Sequence, residues 1–529
     1  MTGARVHTRP YTGAFIRPLF WLIVGTTIFR GIVSATVPLL DDEAYYWLWA
    51  HHLDWSYLDH PPMIAYIVFL TTRLGDDAIW IRLGALLIGA ATTYALFLLG
   101  RELFGARAGF IAAVLFQIVP LLTGSGLLAT PDGPLFLAWT LALRYVWQAL
   151  HGRPRRWGDA GIVVGVGLLS KLYMVFFAAG VLIFLLLYGR RWFRRAGPYL
   201  ATGIAAILFL PVLYWNAAHH WAMVQFIVNE RPSGTPHGFA GILELLAQQF
   251  LYALLLFPAF AYAAYGAWRR RADERFGYLF WISFPPVLFA LVAAAAAGAP
   301  HGNWFGPGYL GLALVLGALW NRGFALLAGT SATIVLYGFI APFISALPPM
   351  PGADTLYGWR EAAVRAQQEI RGFDRRPAVL VVDRYQIAAQ LAYYTRNTIP
   401  VIILPCPHPE SIWPQIQQFA GADGIAVIDA RSRARVKWAQ YFARVQELGP
   451  LTVQFHDRAL RTFRLFRLES LSPETNCVRL RPDEGDYPNG SYRHPAAAAP
   501  PHSQNGTQTL ESPESPLQAL LTLDGQAEV

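Results

Sequence analysis

Carboxylates, histidines and aromatic residues are concentrated between Asp41 and Pro62, in the sequence DDEAYYWLWAHHLDWSYLDHPP. This segment follows an apolar stretch, roughly Phe15 to Val37, that is long enough to cross a membrane. Charged groups are costly beside lipid, so the cluster is a candidate functional site. Its carboxylates could serve as a base or ligate a metal, and its aromatic faces suit sugar rings or lipid headgroups.

The adjacent acids Asp42 and Glu43 have three interpretations. A carboxylate beside an acceptor hydroxyl can remove its proton as the oxygen attacks, and two adjacent acids can also hold a divalent cation. The alternative is structural, because acids before the helix-like run EAYYWLW are typical N-caps. The role of Asp59, in DHPP, has the same functional and structural interpretations, because an acid followed by proline also marks a helix start.

Two later positions could serve the same site. Asp132, in TPDGPLF, is either a helix cap or a second acid that faces the first segment. Lys171 is one of only two lysines among 42 basic residues, and it lies between two apolar stretches. A lysine there offers a compact charge for a phosphate, or it snorkels to the membrane interface.

Two adjacent histidines, His219 and His220, lie between Trp215 and Trp221 in a later loop between apolar stretches. These rings could stack on a sugar or belong to an interfacial aromatic belt. Together with His301 the two histidines could also hold a metal ion, although their spacing matches no known ligand pattern.

The composition places most of the chain in lipid. Of 529 residues, 55% are hydrophobic and only 14% are charged, with a mean hydropathy of +0.35. Soluble domains carry about 25% charged residues. The net charge of +9 does not indicate a nucleic-acid partner, because most of the arginines lie in short clusters between apolar stretches, as topology signals do.

About eleven apolar stretches have the length of a membrane span. They run approximately over 14–36, 79–100, 108–124, 134–150, 158–171, 172–188, 197–214, 242–267, 277–298, 304–320 and 324–346. The first is too long for an ordinary secretory signal, so we expect an uncleaved anchor.

Arginine clusters occupy alternate connections: Arg5 and Arg9; Arg101 and Arg107; Arg153, Arg155 and Arg156; Arg190, Arg191, Arg194 and Arg195; Arg269, Arg270, Arg271 and Arg275; and Arg322. The positive-inside rule predicts a cytoplasmic N-terminus, and an odd number of spans then places the chain after about residue 347 outside. The candidate residues all fall on the outer side, the first of them in an exposed loop. The positive-inside rule gives this orientation without using any of these residues.

The sequence predicts three regions: a membrane domain over 1–350, an extracytoplasmic α/β domain over 354–469 and a disordered tail over 470–529. In the second region, WREAAVRAQQEI and RYQIAAQLAYYTR have helical patterns, and AVLVVD, PVIILP and GIAVID have the pattern of buried strands. The tail is rich in Pro, Ser, Asn and Gly and poor in large apolar residues.

Several motifs, in order, resemble the GT-C type glycosyltransferases that use lipid-linked sugars, and most closely the bacterial glycosyltransferase family 39. That family includes relatives of protein O-mannosyltransferases and of lipid A aminoarabinose transferases. The resemblance covers about residues 14–350 and is carried by Asp42-Glu43-Ala44-Tyr45-Tyr46-Trp47, Asp59-His60-Pro61-Pro62, Thr130-Pro131-Asp132-Gly133-Pro134-Leu135, Leu169-Ser170-Lys171, Trp215-Asn216 and Asn303-Trp304.

The resemblance implies a mainly α-helical, polytopic GT-C fold and a sugar donor carried on a polyprenyl phosphate. It implies that Asp42 is the base or positions the acceptor, that Asp132 is a second acid, and that Lys171 contacts the donor phosphate. Asp41 precedes the Asp42–Glu43 pair, so Asp41, Asp42 and Glu43 all remain candidates for the base. The predicted catalytic residues are Asp42, Glu43 and Asp132, and the predicted substrate-binding residues are Lys171, Asp59, His60, Tyr46, His219, Arg231, Asn303 and Trp304.

The expected partners are the lipid-linked donor, a lipid, polysaccharide or protein acceptor, and membrane lipids. The sequence establishes no cofactor, and a divalent cation is compatible with it. Two other classes also stay open. A transporter or flippase of lipid-linked saccharides should carry its essential charges near the bilayer midplane, and a scaffold for envelope assembly should tolerate Asp42→Asn and Asp132→Asn.

Overall fold

The computed structural model describes residues 14–230, 238–297, 301–340, 353–373, 377–404, 412–432, 436–455 and 458–475. The chain divides into two compact units. The first comprises Met1–Phe339 with Pro407–Pro414, and the second comprises Ile340–Cys406 with Gln415–Val529. The predicted binding residue Arg231 lies outside the described residues, as does the tail beyond residue 475.

Among the described residues of the first unit, every secondary-structure element is a helix. Its helices are α1 (Ile16–Thr36), α2 (Asp41–His51), α3 (Met63–Thr71), α4 (Ala78–Phe104), α5 (Ala106–Ile118), α6 (Pro120–Ser125), α7 (Asp132–Leu150), α8 (Arg156–Ser170), α9 (Met174–Tyr188), α10 (Ala196–Ala218), α11 (Ala222–Gln225), α12 (Phe239–Tyr252), α13 (Phe257–Arg269), α14 (Glu274–Ala297), α15 (Gly306–Ala318) and α16 (Arg322–Ile340).

Within the described residues, five helices are long and apolar enough to cross a membrane: α1, α4, α10, α14 and α16. The other predicted spans also coincide with helices, but these are shorter or less apolar, so the number of crossings stays a prediction. The predicted span over 242–267 is divided. It forms α12 and α13, which are separated by a 3₁₀ turn, and Pro258 lies in the first turn of α13. Proline lacks an N–H and fits a first turn better than a helix interior.

The acidic, aromatic segment after α1 is a buried helix, so the expectation of an exposed loop is wrong. Glu43 closes the first turn of α2, because its carboxylate accepts the backbone N–H of Leu40 at 3.0 Å. Every residue from Glu43 to Ala50 is buried. The large aromatic side chains of this helix gain enough from burial to outweigh its acidic start. The next helix, α3, begins directly after Pro62, as DHPP predicts.

The second unit contains a five-stranded sheet in the order β2-β1-β3-β5-β4. Its strands are β1 (Ala378–Val382), β2 (Val401–Ile403), β3 (Asp423–Asp429), β4 (Phe442–Phe455) and β5 (Arg458–Leu471), and its helices are α17 (Ala353–Leu356), α18 (Trp359–Arg371) and α19 (Tyr385–Tyr394). Strands β1 to β3 are parallel, whereas β4 and β5 are antiparallel. The predicted strands and helices are confirmed as β1 to β3, α18 and α19. The long strands β4 and β5 were not predicted.

Candidate active site

The carboxylate of Glu43 is enclosed by hydrogen-bond donors. It accepts Nε–H and Nη2–H of Arg82 at 2.8 and 2.5 Å, and the backbone N–H of Ala129 at 3.0 Å, in addition to that of Leu40. The side chains of Glu43 and Arg82 are 0% and 1% exposed. Glu43 therefore has no route to a substrate in this arrangement.

Arg82 completes the same junction from α4. Its other N–H groups donate to the carbonyl oxygens of Ser34, Val37 and Pro38 at 3.2, 2.8 and 2.8 Å. Carbonyls at the end of a helix have no partner inside it, and a cation there is favoured by the helix dipole. A guanidinium has five N–H donors, and Arg82 uses all of them. The junction joins α1, α2, α4 and the segment that precedes α7.

Asp42 and Asp59 lie near one buried tyrosine hydroxyl. Both acids are half-buried, Asp42 in the first turn of α2 and Asp59 before α3. The hydroxyl of Tyr45 makes a hydrogen bond with Asp59. Burial raises the pKa of Tyr45 well above its ordinary value, and the negative charges of Asp59 and Asp42 raise it further. Tyr45 therefore stays protonated beside the carboxylates of Asp59 and Asp42.

Asp132 and Lys171 form a second buried ion pair. Asp132 is the first residue of α7 and Lys171 directly follows α8, and these two helices pack together. The Lys171 Nζ lies 2.9 Å from Asp132 Oδ1, with side-chain exposures of 6% and 9%. Among the described residues, Asp132 takes the one side-chain hydrogen bond that this ammonium donates. An ammonium has three N–H donors, so Lys171 can still bind an anion.

Aromatic rings extend from this pair to the turn before α15. The Lys171 Nζ lies 5.9 Å from the ring centroid of Tyr173, which is 5.6 Å from that of Trp304. His301 packs on Trp304 with the ring centroids 4.7 Å apart. The turn is held by the Gly302 N–H, which donates to Gln248 Oε1 at 2.9 Å. The predicted residue Trp304 is therefore linked to Lys171 through the ring of Tyr173, and its neighbour Asn303 is buried.

His219 takes part in a local motif that occurs three times in the described chain. In the pairs Trp47–His51, Trp147–His151 and Trp215–His219, the histidine Nδ1 bonds to the tryptophan carbonyl four residues earlier, at 2.9, 2.8 and 2.8 Å. Each imidazole also packs on the indole, with ring centroids 3.9 to 4.3 Å apart. A histidine at a helix C-terminus satisfies a free carbonyl, so this part of the role of His219 is structural.

The remaining predicted residues contribute less directly. Tyr46 and His60 are 2% and 3% exposed, and Tyr46 packs on Trp49 with the ring centroids 5.0 Å apart. The sequence analysis missed Arg82, Tyr45 and Asp54. The sequence does contain a signal for Arg82, because an arginine inside the apolar run IWIRLGALL must have a partner. For Tyr45 and Asp54 the sequence offers only their place in the acidic, aromatic segment.

No group of three or more His, Cys, Asp or Glu side chains that could share a metal ion occurs among the described residues. The adjacent acids Asp42 and Glu43 do not form such a group, because Glu43 is committed to Arg82. The suggested trio of His219, His220 and His301 does not form one either.

Comparison with known proteins identifies the type of enzyme. A family model described as dolichyl-phosphate-mannose-protein mannosyltransferase matches residues 59–215. Lipid A galacturonosyltransferase RgtD of Rhizobium johnstonii is 29% identical over 429 residues, which are 74% of this chain and 86% of that protein. An undecaprenyl phosphate-alpha-4-amino-4-deoxy-L-arabinose arabinosyl transferase of Pseudomonas aeruginosa is 27% identical over 267 residues, 46% of this chain and 47% of that protein. The chain is a membrane glycosyltransferase, and the proteins it is similar to are of the GT-C type.

Solved structures share the fold of this glycosyltransferase. The crystal structure of ArnT from Cupriavidus metallidurans in the apo state has a TM-score of 0.62 at 14% identity and covers 86% of this chain and 98% of that one. The same ArnT bound to undecaprenyl phosphate has a TM-score of 0.61 at 15% identity, covering 85% and 98%. At this identity the likeness concerns the fold alone.

Proposed function

We propose that this glycosyltransferase moves a sugar from a polyprenyl-phosphate donor to an acceptor hydroxyl on the extracytoplasmic face of the cytoplasmic membrane. The observation that carries the proposal is the buried Asp132–Lys171 pair, in which Asp132 takes the one side-chain hydrogen bond that the ammonium donates among the described residues. Asp42 is half-buried and adjacent to Glu43, which the Arg82 pair immobilises. A relative that acts on an undecaprenyl-phosphate-linked sugar and a fold neighbour bound to undecaprenyl phosphate support the donor class.

Asp42 acts as the base in this proposal. Its carboxylate takes the proton of the acceptor hydroxyl as the oxygen forms a bond to the anomeric carbon. The bond from that carbon to the phosphate oxygen breaks, and the polyprenyl phosphate departs with the electron pair. A single displacement of this kind inverts the anomeric centre. Tyr45 and Asp59 form the polar wall beside Asp42.

Lys171 receives the negative charge that develops on the departing phosphate. Phosphate is a good leaving group, so it needs charge stabilisation more than it needs a proton. Asp132 holds the ammonium in place through the 2.9 Å ion pair, and Trp304 and Tyr173 form an aromatic surface next to it. Two of the three ammonium donors are available for phosphate oxygens.

The acceptor is a lipid, polysaccharide or protein, and a lipid A-type acceptor is the first to test because the relative with 29% identity is named for it. Mass spectrometry of envelope lipids, polysaccharides and proteins from a deletion strain should reveal one missing sugar. Purified enzyme should release undecaprenyl phosphate only when the acceptor is present. A flippase would translocate the donor without that release, and this result would overturn the proposal.

The orientation rests on about eleven spans and on the arginine clusters in alternate connections. A reporter that is active only in the periplasm, fused after residue 360, should be active. Its partner fusion after residue 192, beside the Arg190 cluster, should be silent. The reverse pattern would place the site and its donor on the cytoplasmic face.

A further inference from the structure

The helical unit contains a polar cavity of about 520 Å³. It is formed by the chain after α2 and the turn after α10, together with one residue of the 407–414 segment. The lining residues are His52, Leu53, Asp54, Ser56, Tyr57, Trp215, Ala218, His219, His220 and Ile412. Asp42, Asp132 and Lys171 do not line it, so the cavity is separate from the proposed phosphate contact.

The charge of this cavity disfavours a phosphate. Among its described lining residues there is one carboxylate, Asp54, and no lysine or arginine. Asp54 accepts Nε1–H of Trp215 at 2.8 Å and the backbone N–H of Trp55 at 2.7 Å. These bonds fix the carboxylate and leave lone pairs on both oxygens for further donors. An anion would meet this fixed negative charge without a compensating cation from the described lining residues.

The remaining polar groups suit hydroxyl groups. Burial, with a smaller effect of His51, lowers the pKa of His52, so this imidazole is neutral at neutral pH and offers one donor and one acceptor. The rings of Trp215 and His219 stack with centroids 4.2 Å apart and an angle of 17°. The cavity wall is stiff, because the Tyr57 hydroxyl donates to the carbonyl of His52 and accepts the N–H of Asp54, at 3.0 and 3.1 Å.

The backbone at His220 is strained, whereas the equivalent position of a matching motif elsewhere in the chain is occupied by glycine. His220 and Trp221 have φ angles of 54° and 62°, in the left-handed region that favours glycine. The equivalent residue after the matching pair Trp147–His151 is Gly152, with φ 90°. A histidine at this position costs stability that glycine would not, and its side chain lines the cavity. Strain of this kind is typical of functional sites.

We propose that this cavity binds an uncharged, hydroxyl-rich sugar ring of the acceptor glycan. This inference rests on the proposed function, since it assigns the acceptor side of the same reaction. Asp54, His52 and His220 bind the sugar hydroxyls, and the stacked Trp215 and His219 rings provide a flat wall for the ring face. Binding here holds the acceptor hydroxyl in place independently of the donor phosphate.

The test measures binding of two probes to the full-length protein in lipid nanodiscs: chitobiose, a neutral disaccharide, and undecaprenyl phosphate. Wild-type protein should bind chitobiose, and inorganic phosphate should not compete with it. His220→Gly should raise the chitobiose Kd about three- to ten-fold, the loss expected for one or two hydrogen bonds. The same change should leave the unfolding temperature unchanged or higher, because it removes the backbone strain.

His219→Ala should also weaken chitobiose binding, whereas His151→Ala, which removes the matching imidazole from Trp147, should not. The cavity assignment is overturned if chitobiose does not bind, if its Kd is the same in His220→Gly and His219→Ala as in wild type, or if inorganic phosphate displaces it. Failure of the donor proposal gives a different result: undecaprenyl phosphate does not bind to any of the proteins, whatever chitobiose does.

Discussion

The two buried ion pairs of the helical unit differ in how many of their N–H donors already make hydrogen bonds. In Glu43–Arg82 every guanidinium N–H is used, and the carboxylate accepts two backbone N–H groups besides. In Asp132–Lys171 a single contact of 2.9 Å joins the two side chains, and both are slightly exposed. Burial alone therefore does not distinguish a structural charge from a functional one.

The number of unused hydrogen-bond donors does distinguish a structural charge from a functional one. A saturated pair has no bond left for a ligand, and removing one partner strands a buried charge. An unsaturated ammonium at a helix end can bind a phosphate without breaking its pair. The first pair is expected to hold four segments together, and the second to serve the reaction.

The largest effect is expected from breaking the saturated pair. Arg82→Ala leaves the Glu43 carboxylate buried and unpaired and frees the carbonyls at the end of α1, so it should lower the free energy of unfolding by about 3–5 kcal/mol. Thermal unfolding of the purified protein in nanodiscs measures this. The control is Arg144→Ala, which removes a partly exposed pair with Glu102 and should cost about 0–1 kcal/mol. Equal losses in the two variants would contradict the structural role of the Arg82 junction.

Asp42→Asn tests the other acid of the same helix turn. Loss of a general base should lower the transfer rate by about 10²–10⁴-fold. The unfolding temperature should change little, because Asp42 is half-buried and is not part of the Arg82 pair. The matched control is Asp41→Asn, one residue earlier, which should keep transfer within a few-fold of wild type. If Asp41→Asn loses transfer and Asp42→Asn keeps it, Asp41 is the base.

A smaller effect is expected from Lys171→Ala. Loss of a charge-assisted hydrogen bond to phosphate corresponds to about 1.5–3 kcal/mol, so the Kd for undecaprenyl phosphate should rise about ten- to a hundred-fold. Lys171→Arg should recover part of the affinity, because it keeps the charge with a different geometry. Donor titrations in nanodiscs measure both variants.

The double variant Lys171→Ala with Asp132→Asn separates binding from folding. Lys171→Ala alone leaves Asp132 buried without its cation, which lowers stability. Neutralising Asp132 in the double variant should restore much of the unfolding temperature and none of the donor affinity. Recovery of donor affinity together with stability would mean that Lys171 acts only by holding the fold.

Much of this fold follows from local patterns. The apolar stretches coincide with helices, and the runs AVLVVD, PVIILP and GIAVID form parallel strands. Their residues carry the necessary information in their own period and polarity. The antiparallel strands β4 and β5 were not predicted, because β5 is rich in arginine, β4 is interrupted by Gly449 and Pro450, and neither has a continuous apolar run.

Sequence patterns alone indicate which segments are helical, which residue types gather near the ends of the helices, and that the chain is a lipid-embedded glycosyltransferase. Which charges meet depends on how the helices pack. Glu43–Arg82 and Asp132–Lys171 are each separated by 39 residues, yet one pair is saturated and the other is not. That difference depends on the carbonyls and N–H groups of distant segments, which helix packing brings to Arg82 and not to Lys171. Local sequence patterns carry no record of such contacts.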